Sequence, residues 1–443
     1  MRYFSTRDTK REKAYALKEA AFMGLAPDGG LFMPESIPQV DLDKVAALSA
    51  SSYKEMASYL ASLFFGDDIP ADRLEAIVSK AYDFDCPLVS LASGVNVLEL
   101  FHGPTYAFKD FGARFMGGML GYLSEGSDKL TVLTATSGDT GSAVAAGFHN
   151  VQGVEVVVLY PQGKVSPLQQ AQMTTLGGNI RPLCVRGCFD DCQALVKAVF
   201  NDVDFRRDHY VTSANSINIL RWIPQSFYYF HAWVSWKAMG NEGAPDIVVP
   251  SGNYGNITAG MLAAAMGMPV GRFIAGANAN DVIPEFLHTG VYRPRPSVQT
   301  VANAMDVGAP SNYERMMSLY DGDFQRLVSN MEGYSYTDEQ IKKAIADIYS
   351  RYGYLSDPHA AVGYLAYMDS KADGYYLATA HAAKFGEVIA AAFEENSGLV
   401  GGISSDKVLV LPEGLAVAMQ KEQVYTVIDN NLEQLEAFVA ENC

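Results

Sequence analysis

Apolar residues recur at helical spacing through the first ninety positions, and this periodicity predicts helices over residues 13–23, 42–50, 53–65 and 71–81. Turn chemistry at Pro27-Asp28-Gly29-Gly30 and Pro34-Glu35-Ser36 separates the first two. Near Val95 the pattern changes. Short β-branched runs at residues 97–101, 130–134, 154–160, 180–185, 246–250 and 273–277 read as buried strands. Helical stretches open near Lys109, Thr140, Pro167, Asp190, Asn215 and Asn256. Strand, glycine turn, helix, strand is the signature of a mostly parallel sheet covered on both faces, so the expected class is α/β behind a helical N-terminal region. Further on, Thr337-Asp338-Glu339-Gln340 has the form of a capping box and predicts a helix running toward Arg351. The chain shows no internal repeat and no Pro/Ser-rich linker.

Composition narrows the function classes. At 443 residues, 49% of them apolar, the chain has material for two or three domains with large cores and is not a disordered polymer. Fifty acidic residues against 33 basic ones leave a formal charge of −17. Such a surface repels phosphate backbones and anionic lipid, so neither nucleic acid nor a membrane is an expected partner, although a local cationic pocket for a small anion is compatible with it. The charged opening MRYFSTRDTKREK lacks an apolar core, and no run of 18 apolar residues follows; the expected location is the cytoplasm. Cys184, Cys188 and Cys192 recur every four residues, but a strand end at 183–185 and a helix over 190–200 would put the sulfurs on different elements. With no CxxC, no HExxH and no triad order among the seven histidines, no metal is expected.

Ligands of open α/β sheets sit at the carboxyl ends of the strands, where three turns stand out. Residues 250–258, Pro-Ser-Gly-Asn-Tyr-Gly-Asn-Ile-Thr, join a strand to an apolar helix. Gly252 and Gly255 let backbone N–H groups of the turn converge at a helix N-terminus, a cradle for a phosphate that needs no lysine. Residues 136–142, Thr-Ser-Gly-Asp-Thr-Gly-Ser, offer hydroxyls and amides at another helix start, suited to a carboxylate. In the third, Lys109 lies among Tyr106, Phe108 and Phe111 on an apolar segment. Burial disfavours an ammonium and frees an amine able to condense with a carbonyl. Taken singly, each has a plain alternative: a tight turn with nothing bound, an N-cap by Ser137, Asp139 or Thr140, and a snorkelling lysine or one paired with Asp110. Together they are what a pyridoxal-phosphate enzyme of amino acids requires. A nucleotide site is excluded, since neither GxGxxG after a strand nor GxxxxGK[ST] occurs.

The runs HGPTYAFKDFGARF (102–115), TATSGDTGSAVAAGF (134–148), PSGNYGN (250–256) and LATAHAAKF (377–385) resemble segments of threonine synthases. So do RYFSTR (2–7) and GLAPDGGLFMPE (24–35), which look like that family's N-terminal domain in its longer bacterial and fungal type. The resemblance runs from Arg2 to about Phe385. It implies the pyridoxal-phosphate fold type II, tryptophan synthase β-like: a helical N-terminal domain over 1–92, a large cofactor lobe over 93–128 and 216–430, and a small α/β lobe over 129–215. It implies pyridoxal 5′-phosphate bound covalently to Lys109, which is also the catalytic proton shuttle. By the same likeness Gly252, Asn253, Tyr254, Gly255 and Asn256 hold the cofactor phosphate, Thr379 bonds the pyridine nitrogen, and Asp139 lies near the phenolic oxygen, where relatives of the fold carry asparagine. Aspartate there would have to be protonated or compensated. Ser137 and Thr140 would take the substrate carboxylate, and Asn215, Ser216 and Arg221 its phosphate, with Asn218 and Lys164 as further candidates. His381 would line the ring. The implied activity is conversion of O-phospho-L-homoserine and water to L-threonine and phosphate by γ-elimination and β-addition of water. A phospho-lyase on the same substrate, a threonine or serine dehydratase, and a non-catalytic binding protein are the alternatives; Arg221 argues against the dehydratase and Lys109 against the last.

Overall fold

A computed structural model describes residues 1–126 and 129–443. Its strands are β1 (Tyr3–Ser5), β2 (Phe32–Pro34), β3 (Leu88–Ala92), β4 (Val95–Glu99), β5 (Leu130–Ala135), β6 (Val154–Pro161), β7 (Ile180–Arg186), β8 (Tyr210–Ser213), β9 (Asp246–Pro250), β10 (Phe273–Ala277), β11 (Met331–Ser335), β12 (Gly374–Ala378) and β13 (Thr426–Asp429). They form an antiparallel ribbon β1-β2, a large sheet ordered β11-β10-β9-β12-β4-β3 and a small sheet ordered β13-β7-β6-β5-β8. Every neighbouring pair in the two main sheets is parallel except the β3-β4 hairpin. All six residues of β5 and all but one of β6 are buried, as strands covered on both faces must be. Each fully buried Val or Leu contributes about 1.5–3 kcal/mol of transfer free energy, and these central strands are built from them.

The four N-terminal helices are Leu17–Met23, Leu42–Ser51, Tyr53–Phe65 and Ala71–Ala81. The first starts later than its periodicity predicts because Tyr15 pairs with Tyr3 and stays extended. The helix expected from Asn215 begins only at Ile219. Asn218 caps it, its side chain accepting from Leu220 N at 3.0 Å, and residues 215–218 are left as a turn. The capping box at Thr337 is present and opens the helix Asp338–Tyr352.

Two lobe limits differ from the sequence expectation. The 92/93 boundary falls inside the β3-β4 hairpin, whose two strands share the large sheet. Residues 426–429, expected in the large lobe, pair with β7 and extend the small sheet. Residue 128, the expected end of the first large-lobe segment, lies outside the described residues. Among the described residues no helix is long and apolar enough to cross a membrane, and no cluster of His, Cys, Asp or Glu could hold a metal ion.

Candidate active site

The segments that follow β4, β5, β8, β9 and β12 meet one another at the carboxyl ends of both sheets. The loop after β4 is fastened to the end of β12: Phe108 N donates to Thr379 O at 2.8 Å, His381 N to Tyr106 O at 3.0 Å, and Ala107 bridges Ala380. Tyr106 turns the chain in the left-handed region, at φ 58°. Lys109 is thereby the first residue of the helix Lys109–Leu123, next to the end of β12.

Burial pushes the Lys109 ammonium down to about 8; Asp139 opposes this, while Lys384 and Arg221 add to it. Phe111, two positions along the helix, packs away from Lys109 against Phe84 at 4.9 Å and Tyr228 at 5.1 Å, in the interface with the N-terminal helices.

Asp139 opens the helix Asp139–Phe148 and is buried, as is Lys384, whose Nζ lies 2.6 Å from Asp139 Oδ1. Gln169 Nε2 donates to the same oxygen at 2.8 Å. Burial alone would raise the Asp139 carboxyl, but Lys384 and Lys109 outweigh it and hold the group below the usual carboxylate range. The aspartate is therefore compensated and ionised rather than protonated. Lys384 also donates to Thr105 O at 2.8 Å, tying the loop after β4 to that after β12. Ser137 and Thr140 are half-buried beside Asp139, and their hydroxyls make no hydrogen bond among the described residues. A Cβ at Gly138, where φ is +141°, would collide with Gln169, so this turn requires glycine.

The turn 251–256 leads from β9 into the helix Gly255–Ala265. Tyr254 adopts φ 59°, and a Cβ at Gly252 would lie 2.6 Å from Met305 Cα, too close for any side chain. Asn256 Oδ1 accepts from Tyr228 and Tyr229 hydroxyls, both at 2.6 Å. That fixes the amide so that its buried Nδ2 donor is left without a protein partner. Thr379 directly follows β12, buried, its hydroxyl also without a hydrogen bond among the described residues. A buried amine, a lysine-free amide cradle and an unpaired hydroxyl suit the aldehyde, phosphate and ring nitrogen of pyridoxal phosphate.

The 215–221 segment runs alongside this cradle. Asn253 Nδ2 donates to Ser216 Oγ at 2.7 Å, and Asn215 Oδ1 accepts from Thr134 at 2.8 Å. Arg221 is buried, donates through Nη1 to Ala214 O at 2.7 Å, and leaves Nε unpaired. Burial lowers its pKa to about 10, with Asp110 opposing, so it remains cationic at neutral pH. Asn218 is spent on the fold, donating to Ala21 O at 2.9 Å and Ser213 O at 3.2 Å. Lys164 is exposed, and no hydrogen bond or ion pair among the described residues joins it to this segment. His381 accepts from Ala383 N at 3.1 Å and packs edge-on against Phe101 and Tyr106.

Sequence reasoning missed Lys384 as a charged partner and Gln169 altogether. Lys384 carries the same signal as Lys109, a lysine inside an apolar run, here Ala382-Ala383-Lys384-Phe385.

Residues 87–377 match the family model of pyridoxal-phosphate dependent enzymes, the class that two parallel lobes around such a lysine define. Fold type II is its architecture here, and pyridoxal 5′-phosphate its cofactor. Residues 2–82 match the model of the threonine synthase N terminus and 360–439 that of the threonine synthase C-terminal region, so the likeness extends well past Phe385. The chain is 42% identical over 400 residues to threonine synthase of Escherichia coli, covering 89% of this chain and 92% of that one. It is 42% identical over 397 residues to that of Serratia marcescens, covering 88% and 90%. Among solved structures, the pyridoxal-phosphate-bound threonine synthase of Brucella melitensis superposes with a TM-score of 0.90 at 35% identity, covering 100% of this chain and 99% of that one. The yeast threonine synthase structure gives 0.89 at 33% identity, with 100% and 98% covered. The chain belongs to the threonine synthase family.

Proposed function

We propose that the chain converts O-phospho-L-homoserine and water to L-threonine and orthophosphate. The observation that carries this is the 2.7 Å contact between Asn253 and Ser216, which sets two anion-suited segments side by side, with Arg221 close enough to depress Lys109. A dehydratase needs one phosphate seat; a phosphorylated substrate needs the second.

Bound pyridoxal phosphate supplies the electron sink for negative charge developing on substrate carbon. The chain's own groups do the rest. Lys109 holds the cofactor, and residues 252–256 receive its phosphate at the start of the helix Gly255–Ala265, where the dipole favours an anion. The Thr379 hydroxyl donates to the ring nitrogen. Ser137 and Thr140 grip the substrate carboxylate, fixing which Cα bond faces the Lys109 amine. That amine, neutral above about pH 8, takes the Cα proton and moves protons at neighbouring carbons within reach of its flexible stem. Asn215, Ser216 and Arg221 bind the departing phosphate; a guanidinium fork with amide and hydroxyl donors suits a monoester dianion. Water then adds at Cβ.

Incubating the holoenzyme with O-phospho-L-homoserine and quantifying orthophosphate, threonine and 2-oxobutyrate together tests the proposal. Equal yields of phosphate and threonine are expected. Phosphate with 2-oxobutyrate in place of threonine would make the protein a phospho-lyase, and no phosphate release would remove the substrate assignment.

A further inference from the structure

The helix Tyr313–Leu319 carries a cation that none of these roles uses. Arg315 is fully buried, and among the described residues no carboxylate pairs with it. Its guanidinium donates instead to Ser216 O at 3.0 Å, Ile217 O at 2.7 Å, Asn312 Oδ1 at 3.0 Å and Phe32 O at 3.3 Å, while Nε is unpaired. It also lies 4.4 Å from the centroid of the Trp222 ring, next to Arg221 in sequence. Carbonyls and a ring face repay only part of the cost of taking a charge out of water, so an arginine buried without an anion demands a reason.

Its neighbours supply one. Asn312 Nδ2 donates to Asn253 O at 3.0 Å and Ser311 N to Asn253 Oδ1 at 2.6 Å, so the arginine's own helix entry grips the 251–256 turn. Trp222 Nε1 reaches Thr258 in the helix after that turn at 3.1 Å. On the other side, Glu314 accepts from Thr6 Oγ1 at 2.6 Å and from Arg7 Nε at 3.0 Å, and Phe32 belongs to β2. The N-terminal ribbon, the Arg315 helix and both turns form one bonded unit. A planar peptide directs its C=O and N–H in opposite senses, so drawing the Ser216 carbonyl onto Arg315 turns the Ile217 amide away from it.

We propose that Arg315 is a positioning residue for the phosphate of the substrate: it fixes the 215–218 turn from behind and places an uncompensated positive charge there, with Glu314 coupling this seat to the N-terminal ribbon. The identity of the substrate rests on the function proposed above; a seat for a phosphate dianion does not.

Orthophosphate binding to the holoenzyme is the probe, because the cofactor already fills the other phosphate cradle. Arg315→Met should weaken orthophosphate binding about tenfold or more and raise KM for O-phospho-L-homoserine in parallel, with kcat changed less than about threefold. The absorbance change on adding L-serine, which has no phosphate, should persist. Arg315→Lys keeps the charge but loses the fork, and should recover part of the affinity. Glu314→Ala, at a partly exposed site, should weaken orthophosphate binding about threefold by freeing the ribbon. Wild-type orthophosphate affinity in Arg315→Met overturns the proposal. So does an equal loss of the serine response, which would mark a merely structural residue. Should Arg315→Met not fold, wild-type affinity in both Arg315→Lys and Glu314→Ala overturns it. Orthophosphate binding that depends on Arg315 in an enzyme that leaves O-phospho-L-homoserine untouched would sink the substrate and leave this role standing.

Discussion

Lys384 Nζ sits 2.6 Å from Asp139 Oδ1 with both side chains buried, and this pair sets the charge around Lys109. Breaking a buried pair from one side leaves an uncompensated charge, so Lys384→Met should cost about 3–5 kcal/mol in urea unfolding, and the Lys384→Met/Asp139→Asn double variant should recover most of it. The pair holds the Asp139 carboxyl low, so its stabilisation is present above the ordinary aspartate value near pH 4 and fades as pH falls through the folded value. The two single variants should also move Lys109 oppositely. Losing the Lys384 charge favours the Lys109 ammonium, and losing the Asp139 charge disfavours it. The pH midpoint for cofactor capture by the apoenzyme should rise in Lys384→Met and fall in Asp139→Asn; midpoints moving in the same direction would contradict the electrostatic account.

In the wild-type apoenzyme, that midpoint should lie near 8, with capture faster on the alkaline side where the amine is neutral. Borohydride reduction of the holoenzyme followed by peptide mapping should place the cofactor on Lys109. A label on Lys384 or Lys164 would overturn the assignment.

Gly255 separates packing from binding. A Cβ there would stand 3.2 Å from Ser216 Cβ and 3.3 Å from Asn312 Nδ2, tight against side chains that can give way slightly. Gly255→Val should therefore fold, at a cost of about 1–3 kcal/mol for overpacking, yet bind the cofactor at least tenfold more weakly. Equilibrium dialysis showing unchanged affinity would reduce the turn to a structural element.

Arg221→Ala should leave the absorbance of the bound cofactor intact, since residues 252–256 form a separate cradle. Removing one partner of a buried, charge-assisted contact costs about 2–5 kcal/mol, so kcat/KM on O-phospho-L-homoserine should fall roughly 30-fold or more. Slow reaction with serine should change little. Equal losses on both would move the phosphate seat elsewhere, and Arg221→Lys should give partial rescue at best.

Local signals in the sequence make most main-sheet strands through β10, the glycine turns and Lys109 legible. The β-branched runs and the paired glycines are chemistry that acts within a few residues. β8 (Tyr-Val-Thr-Ser) and β13 (Thr-Val-Ile-Asp) carry β-branched residues too, but over only four positions each, too short a run to stand out, and only Ile428 of β13 is buried. Arg315 is illegible for another reason. Tyr313, Met316, Met317 and Tyr320 mark one apolar face, and Arg315 lies off it, as a solvated cation would. Its burial comes from the 215–218 turn and β2 closing over the other side, contacts made across about 100 and 280 residues of chain, which no window of sequence can display. Aromatic neighbours single out Lys109 in the sequence, whereas two other cations and an aspartate surround it in the fold.

The pairing of Thr426 with Leu183 sets a timetable for synthesis. The outer edge of β7 emerges from the ribosome with its N–H and C=O groups unmatched, and the strand that covers it is still untranslated. At about 5–20 residues per second, those intervening residues take roughly 10–50 s to make. Throughout that interval the nascent small lobe presents an open, apolar parallel edge, the kind of surface on which another chain can add a strand. Truncation anywhere upstream of β13 would make that exposure permanent.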